Sequence, residues 1–117
     1  MKKTKVLFLC SANIDRSKTA EDLYKNHPAL EVKSAGTAPH AIVRVCDALI
    51  KEMDIVLCMT VGHKRFIEQN FSDIISDKII DELDVQDDYR YMSIQLQNIL
   101  KVRIDAWLLE NLNIQPI

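Results

Sequence analysis

Lys5-Val-Leu-Phe-Leu-Cys10-Ser-Ala-Asn13-Ile-Asp-Arg16-Ser17-Lys-Thr-Ala20 joins an apolar run to an amphipathic stretch through a short polar segment. An apolar run of this length closed by polar residues reads as a strand buried on both faces, and the residues from Arg16 onward read as the start of a helix. Cys10 stands at the end of the strand, and Arg16 comes six positions later at the start of the helix. At such a turn both side chains face one small concavity, lined by backbone N–H groups and by the positive end of the helix dipole. That lining suits an anion. The same field favours the thiolate of Cys10, which makes it a nucleophile. A guanidinium at Arg16 can hold a phosphate through two parallel hydrogen bonds. Against this stands the plainer reading of Cys10 as a small buried hydrophobe. The position of the pair, at a strand-to-helix turn where open α/β sheets bind ligands, favours chemistry.

Beyond this turn, apolar runs alternate with helical patterns. Strands are expected over residues 6–10, 31–34, 54–59 and 78–80. Helices are expected over 16–26, ending before His27-Pro28, over 41–51 with Val45, Ala48 and Leu49 at helical spacing, and over 62–71. A long amphipathic helix is expected from Tyr91 or Met92 to about Asn111, offering Ile99, Leu100, Val102, Ile104, Trp107 and Leu108 to a core. Residues 35–39 and the carboxylate-rich 81–91 read as loops. Strands separated by helices imply an α/β fold with a parallel sheet.

The bulk numbers exclude several classes. A chain of 117 residues is expected to form one domain over 1–117, and 48% hydrophobic residues suffice for a globular core. Fifteen basic against seventeen acidic residues leave a charge of −2, which favours neither nucleic acid nor an anionic membrane. No apolar run approaches the roughly 20 residues of a membrane span. The basic Met1-Lys-Lys-Thr-Lys5 resembles the start of a secretory signal, but the apolar residues 6–9 after it are too few, so a cytoplasmic location is expected. Cys10, Cys46 and Cys58 show no metal-like or redox-like spacing, and His27, His40 and His63 form no metal pattern, so no metal is expected. Cys46 falls in a helical pattern and Cys58 in a buried strand; both read as core. His40 reads as a surface residue, with a place near the concavity as the alternative. Only Gly36 and Gly62 occur, so no glycine-rich nucleotide loop is present.

Four segments, in order, resemble the low-molecular-weight protein tyrosine phosphatases, and most closely a short bacterial branch of that family. Residues 6–17 resemble the family's phosphate loop, continued by Thr19-Ala20-Glu21; Val32-Lys-Ser34-Ala-Gly36-Thr37 resembles its second strand and turn. Asp54-Ile-Val-Leu-Cys-Met59 resembles its third strand, and Val85-Gln-Asp87-Asp88-Tyr89 the loop that carries its general acid. The resemblance implies a three-layer sandwich whose four-stranded parallel sheet has the order 2-1-3-4. It implies a cysteine-dependent phosphatase acting on phosphotyrosine or another aryl phosphate, without cofactor. Its partners would be a phosphorylated protein or a small aryl phosphate, with inorganic phosphate or sulfate able to occupy the loop, and the chain a monomer or weak dimer.

By the same resemblance Cys10 is the nucleophile, and Arg16 clamps the equatorial oxygens where transition-state charge spreads. Backbone N–H groups of Ser11, Ala12, Asn13, Ile14, Asp15 and Arg16 complete the cradle, and Asn13 holds the loop in a left-handed turn. Ser17 either donates to the Cys10 thiolate or satisfies the helix start. Asp87 protonates the leaving group and then activates water, with Asp88 as its competitor. Asp81, Glu82, Asp84 and Asp88 read as a solvated acidic face. Tyr89 lines the pocket mouth, or packs structurally. Asp15 stands where longer members often carry a second cysteine. Facing inward it repels phosphate; facing outward it solvates the rim. Gln86 takes the place of a usual proline, and the connection from Gly36 to Asp54 is short. Two further readings use the same fold: an arsenate reductase, which needs mobile cysteines at 46 and 58, and a phosphocarrier or anion-binding protein that does not hydrolyse.

Overall fold

The computed structural model describes residues 2–116. Strand β1 (Thr4–Cys10) lies at the centre, paired in parallel with β2 (Leu30–Gly36) on one side and β3 (Ile55–Cys58) on the other, and β4 (Ile79–Glu82) extends the sheet beyond β3. The order β2-β1-β3-β4 is the expected one. Register brings Cys10 opposite Gly36 and Leu9 opposite Cys58, so the carboxyl ends of β2, β1 and β3 lie side by side.

Residues 6–10 of β1 are fully buried or nearly so, because helices cover both faces of the sheet. The alternation of side chains along a strand sorts them. Val6, Phe8 and Cys10 join Ala20 and Tyr24 of α1 (Arg16–Tyr24) and Leu96, Leu100, Ile104, Trp107 and Leu108 of α4 (Ile94–Leu112). Leu7 and Leu9 join Ile50 of α2 (Asp47–Glu52) and Ile67 of α3 (Val61–Asn70) on the opposite face. Each buried Leu or Phe contributes about 1.5–3 kcal/mol of apolar transfer. The even face of β1 therefore delivers Cys10 to the layer that holds α1.

Three expectations change. The helix expected over 41–51 is confined to Asp47–Glu52, and residues 41–46 form an irregular segment with a bend at Ile42-Val43 and one bridge from Arg44 to Gly36. There the N–H of Ile42 donates to Ala12 O (3.1 Å) and that of Val45 to Gly36 O (2.9 Å), while Val43 O accepts from Gly36 N (2.8 Å). Backbone partners on neighbouring segments replace the helical bonds, leaving Val45 buried outside the helix and Ala48 exposed. Only glycine fits at position 36, since a Cβ there would collide with Ser11 O.

The strand expected at 78–80 lies at Ile79–Glu82, and Asp81 with Glu82 is part of the sheet rather than of a solvated loop. Asp81 Oδ2 accepts the indole N–H of Trp107 at 2.8 Å, which gives that carboxylate a structural task. In α4, Val102 is exposed (68%), because Leu100, Ile104, Trp107 and Leu108 already define the buried stripe and position 102 falls on the far side. That helix begins at Ile94, with Ser93 Oγ accepting from the Leu96 N–H.

Candidate active site

The turn from Cys10 to Arg16 folds around Asn13, which adopts φ 59°, a left-handed conformation that asparagine tolerates better than most residues. Asn13 is buried and bonded on every side. Its Nδ2 donates to Ser17 Oγ (2.8 Å) and to Ser34 Oγ (2.9 Å), and its Oδ1 accepts from Val43 N (3.2 Å). Ser34 Oγ in turn lies 2.5 Å from Glu21 Oε1.

The carboxylate fixes the sense of this chain. Glu21 accepts from Ser34, so the oxygen of Ser34 is free to accept from Asn13, and the second amide hydrogen of Asn13 goes to Ser17. The hydroxyl hydrogen of Ser17 then has one neighbour left, Cys10 Sγ at 2.9 Å. Ser17 is thus bonded to the sulfur, and α1 has no side-chain cap at its start.

Cys10 lies at the floor of a cavity of about 70 Å³ lined by Ser11, Ala12, Ile14, Asp15, Arg16 and Asp87. Arg16 is 4% exposed. Its Nη1 donates to Val85 O (3.0 Å), and its Nε lies 3.7 Å from Asp87 Oδ1. Asp87 is exposed at the rim, and of the two neighbouring aspartates it is the one at this cavity. Asp88 lines a separate depression with Tyr89, Arg90, Ser93 and Gln95. Tyr89, expected at the mouth, is absent from the cavity wall; its ring packs against the α1–α4 core, where apolar burial holds it.

Asp15 borders the cavity, yet its Oδ1 accepts the backbone N–H of Tyr91 at 2.8 Å. The segment carrying Asp87 is tied down on both sides. Val85 N donates to Met59 O (2.7 Å), Met92 N donates to Thr19 Oγ1 (3.0 Å), and the Tyr91 hydroxyl donates to Asp22 Oδ2 (2.5 Å).

His63 was not singled out by sequence and sits at this site. It is the third residue of α3, where it forms a capping box with Thr60: Nδ1 lies 3.2 Å from Thr60 N and 3.1 Å from Thr60 Oγ1. Its Nε2 lies 2.9 Å from Ser11 Oγ. Burial, reinforced by the Arg16 guanidinium and opposed by Asp87, pushes its pKa down to about 4, so the ring is neutral at ordinary pH. The signal available in sequence was the box itself, Thr60-x-x-His63, at the carboxyl end of a parallel strand. Glu21 was legible as part of the loop's continuation but not as its anchor; it lies one turn beyond Ser17 on the same helix face.

His40 is exposed in a turn and away from the cavity wall. Cys46 is exposed, against its expected place in the core; it precedes the shortened α2. Cys58 is buried as expected, and burial pushes its thiol up to about 12. Among the described residues no group of three His, Cys, Asp or Glu side chains is arranged to hold a metal, and no helix is long and apolar enough to cross a membrane.

The sequence matches no protein-family model and no curated protein. Solved structures do match. A low molecular weight protein tyrosine phosphatase of Streptococcus pyogenes, SP-PTP, superposes with a TM-score of 0.77 over 93% of each chain at 16% identity. The chain has the fold of the low molecular weight protein tyrosine phosphatases. Wzb of Vibrio vulnificus, in complex with benzylphosphonate, gives a TM-score of 0.74 over 93% of this chain and 99% of that one, at 22% identity. The YwlE arginine phosphatase of Geobacillus stearothermophilus gives 0.65 over 92% and 97%, also at 22% identity.

Proposed function

We propose that this protein is a cysteine-dependent phosphatase that hydrolyses phosphotyrosine or another aryl phosphate monoester through a phosphocysteine intermediate. The observation that carries this reading is the convergence of Cys10, Arg16 and Asp87 on one cavity of about 70 Å³. About 10–15 Å³ of such space holds one water, so the cavity has room for a phosphoryl group.

In this mechanism the Cys10 thiolate attacks phosphorus in line, and the bond to the ester oxygen breaks. Arg16 and the backbone N–H groups of residues 11–16 hold the equatorial oxygens as charge spreads onto them. Asp87 gives its proton to the departing oxygen and then takes one from the water that cleaves the S–P bond. The Ser17 hydroxyl, 2.9 Å from the sulfur, stabilises the thiolate as nucleophile and as leaving group. No metal or organic cofactor enters this scheme.

The arsenate-reductase alternative loses support, because a cysteine relay needs reactive thiols and Cys58 is buried with its pKa at about 12. YwlE being an arginine phosphatase makes phosphoarginine the comparison substrate. The test is turnover of p-nitrophenyl phosphate by the reduced protein beside Cys10→Ser and Asp87→Asn. Loss of turnover in the first variant and a strong slowing in the second is expected. A wild type that accumulates phosphocysteine without releasing phosphate is a carrier, and turnover indifferent to Cys10 rejects the scheme.

A further inference from the structure

Ser11 and His63 are 52 positions apart in sequence, yet Ser11 Oγ and His63 Nε2 approach to 2.9 Å. The tautomer of His63 decides what that contact means. The backbone N–H of Thr60 can only donate, so Nδ1, 3.2 Å away, carries a lone pair. A neutral imidazole with an acceptor at Nδ1 bears its hydrogen on Nε2. The ring is only 7% exposed, and its depressed pKa keeps it in that neutral form. Nε2–H therefore donates to Ser11 Oγ, and one lone pair of the serine is used. The hydroxyl hydrogen of Ser11 is left for an acceptor elsewhere, and Ser11 lines the cavity above Cys10.

We propose that Ser11 donates its hydroxyl hydrogen to a non-bridging oxygen of the phosphate group held over Cys10, and that His63 is the positioning residue that fixes Ser11 in this orientation. This rests on the phosphatase reading for the identity of the anion. The cradle then combines backbone donors with one side-chain donor whose direction is set from α3. Because the histidine is neutral, it adds direction without adding charge to a site that already holds Arg16.

The experiment compares Ser11→Ala, His63→Ala, the double variant and His63→Gln. For each, kcat/KM is measured with p-nitrophenyl phosphate, the Kd of inorganic phosphate by calorimetry, and Tm. A hydrogen bond to a charged group predicts a loss of roughly tenfold or more in both constants for each single alanine variant. The double variant should be no worse than the weaker single within about twofold. His63→Gln, whose amide keeps an acceptor for Thr60 and a donor beyond it, should recover most of the loss. Unchanged constants in Ser11→Ala, or single losses that multiply in the double variant, overturn the proposal.

If His63→Ala does not fold, nitrogen chemical shifts of the wild-type ring still decide: a hydrogen on Nδ1 overturns the pairing, and one on Nε2 together with weakened phosphate binding in Ser11→Ala sustains it. A wild type that binds phosphate but does not turn over rejects the phosphatase reading alone, and the phosphate affinities then judge Ser11 and His63 separately.

Discussion

Asp15 Oδ1 accepts the backbone N–H of Tyr91 at 2.8 Å and so fastens the turn after Cys10 to the segment that carries Asp87. An aspartate that lines the cavity thereby spends one carboxylate oxygen on a backbone dipole. Asp15→Asn keeps an acceptor oxygen and should turn over p-nitrophenyl phosphate near the wild-type rate. Asp15→Ala removes the tie, worth about 1 kcal/mol, and should lower kcat several-fold. Steady-state kinetics on the pair checks this, and equal losses in both variants would point to charge instead.

Asn13 carries two burdens that substitutions separate. Asn13→Gly accepts φ 59° but loses the bonds to Ser17, Ser34 and Val43; Asn13→Ala loses the same bonds and adds about 1–2 kcal/mol of backbone strain. Both variants should lose at least tenfold in kcat/KM. Urea unfolding should place the alanine variant below the glycine variant in stability.

Gly36→Ala should destabilise the fold by about 1–3 kcal/mol, since its Cβ would collide with Ser11 O and meet Ala41 Cβ at 2.8 Å. Because the displaced carbonyl belongs to the residue after Cys10, phosphate affinity should fall together with the denaturation midpoint. An alanine variant with wild-type affinity would mean that the strain relaxes through Ala41.

Burial and the Arg16 charge push the His63 pKa down to about 4 in the folded protein, below the ordinary 6.5 of the unfolded chain. Between these values the unfolded chain binds more protons, so stability from this group is complete above pH 6.5, declines as pH falls, and is fully lost below about pH 4. His63→Gln should flatten the stability profile across that window. Urea midpoints collected from pH 4 to 7 for both proteins test the sign.

Cys46 and Cys58 should react in an order set by burial. At pH 8 in the folded state Cys46, exposed, should be alkylated by iodoacetamide within minutes, and Cys58 should stay unmodified until the protein is denatured. Mass spectrometry of peptides from the two conditions reads this directly.

Much of the architecture was legible because it is written in local periodicity. Residues 6–10 are apolar without interruption, and a strand covered on both faces needs that. The segment 41–46 was illegible for the opposite reason. Its hydrogen bonds go to Ala12, Asn13 and Gly36, and helical spacing of Val45 with Leu49 says nothing about such distant partners. Asp81 looked like one more solvated carboxylate because Trp107, 26 positions on, cannot be paired with it by pattern. His63 escaped notice likewise: its task is defined by Ser11, and no spacing connects residues 52 apart. The Cys10–Arg16 turn was readable as one concavity, since strand end, thiol, guanidinium and helix start are consecutive.

The one-way run from Glu21 through Ser34, Asn13 and Ser17 to Cys10 has a thermal consequence. Each hydroxyl and amide in it has a single permitted orientation, so the turn around Cys10 is ordered when the chain folds, and that entropy is lost before any ligand arrives. Heating that loosens any one of these links leaves the sheet intact but randomises the direction of the last hydrogen. Turnover should therefore decline on warming before circular dichroism registers the loss of a strand, and the separation between the two curves measures how much of this protein's order exists for the sulfur alone.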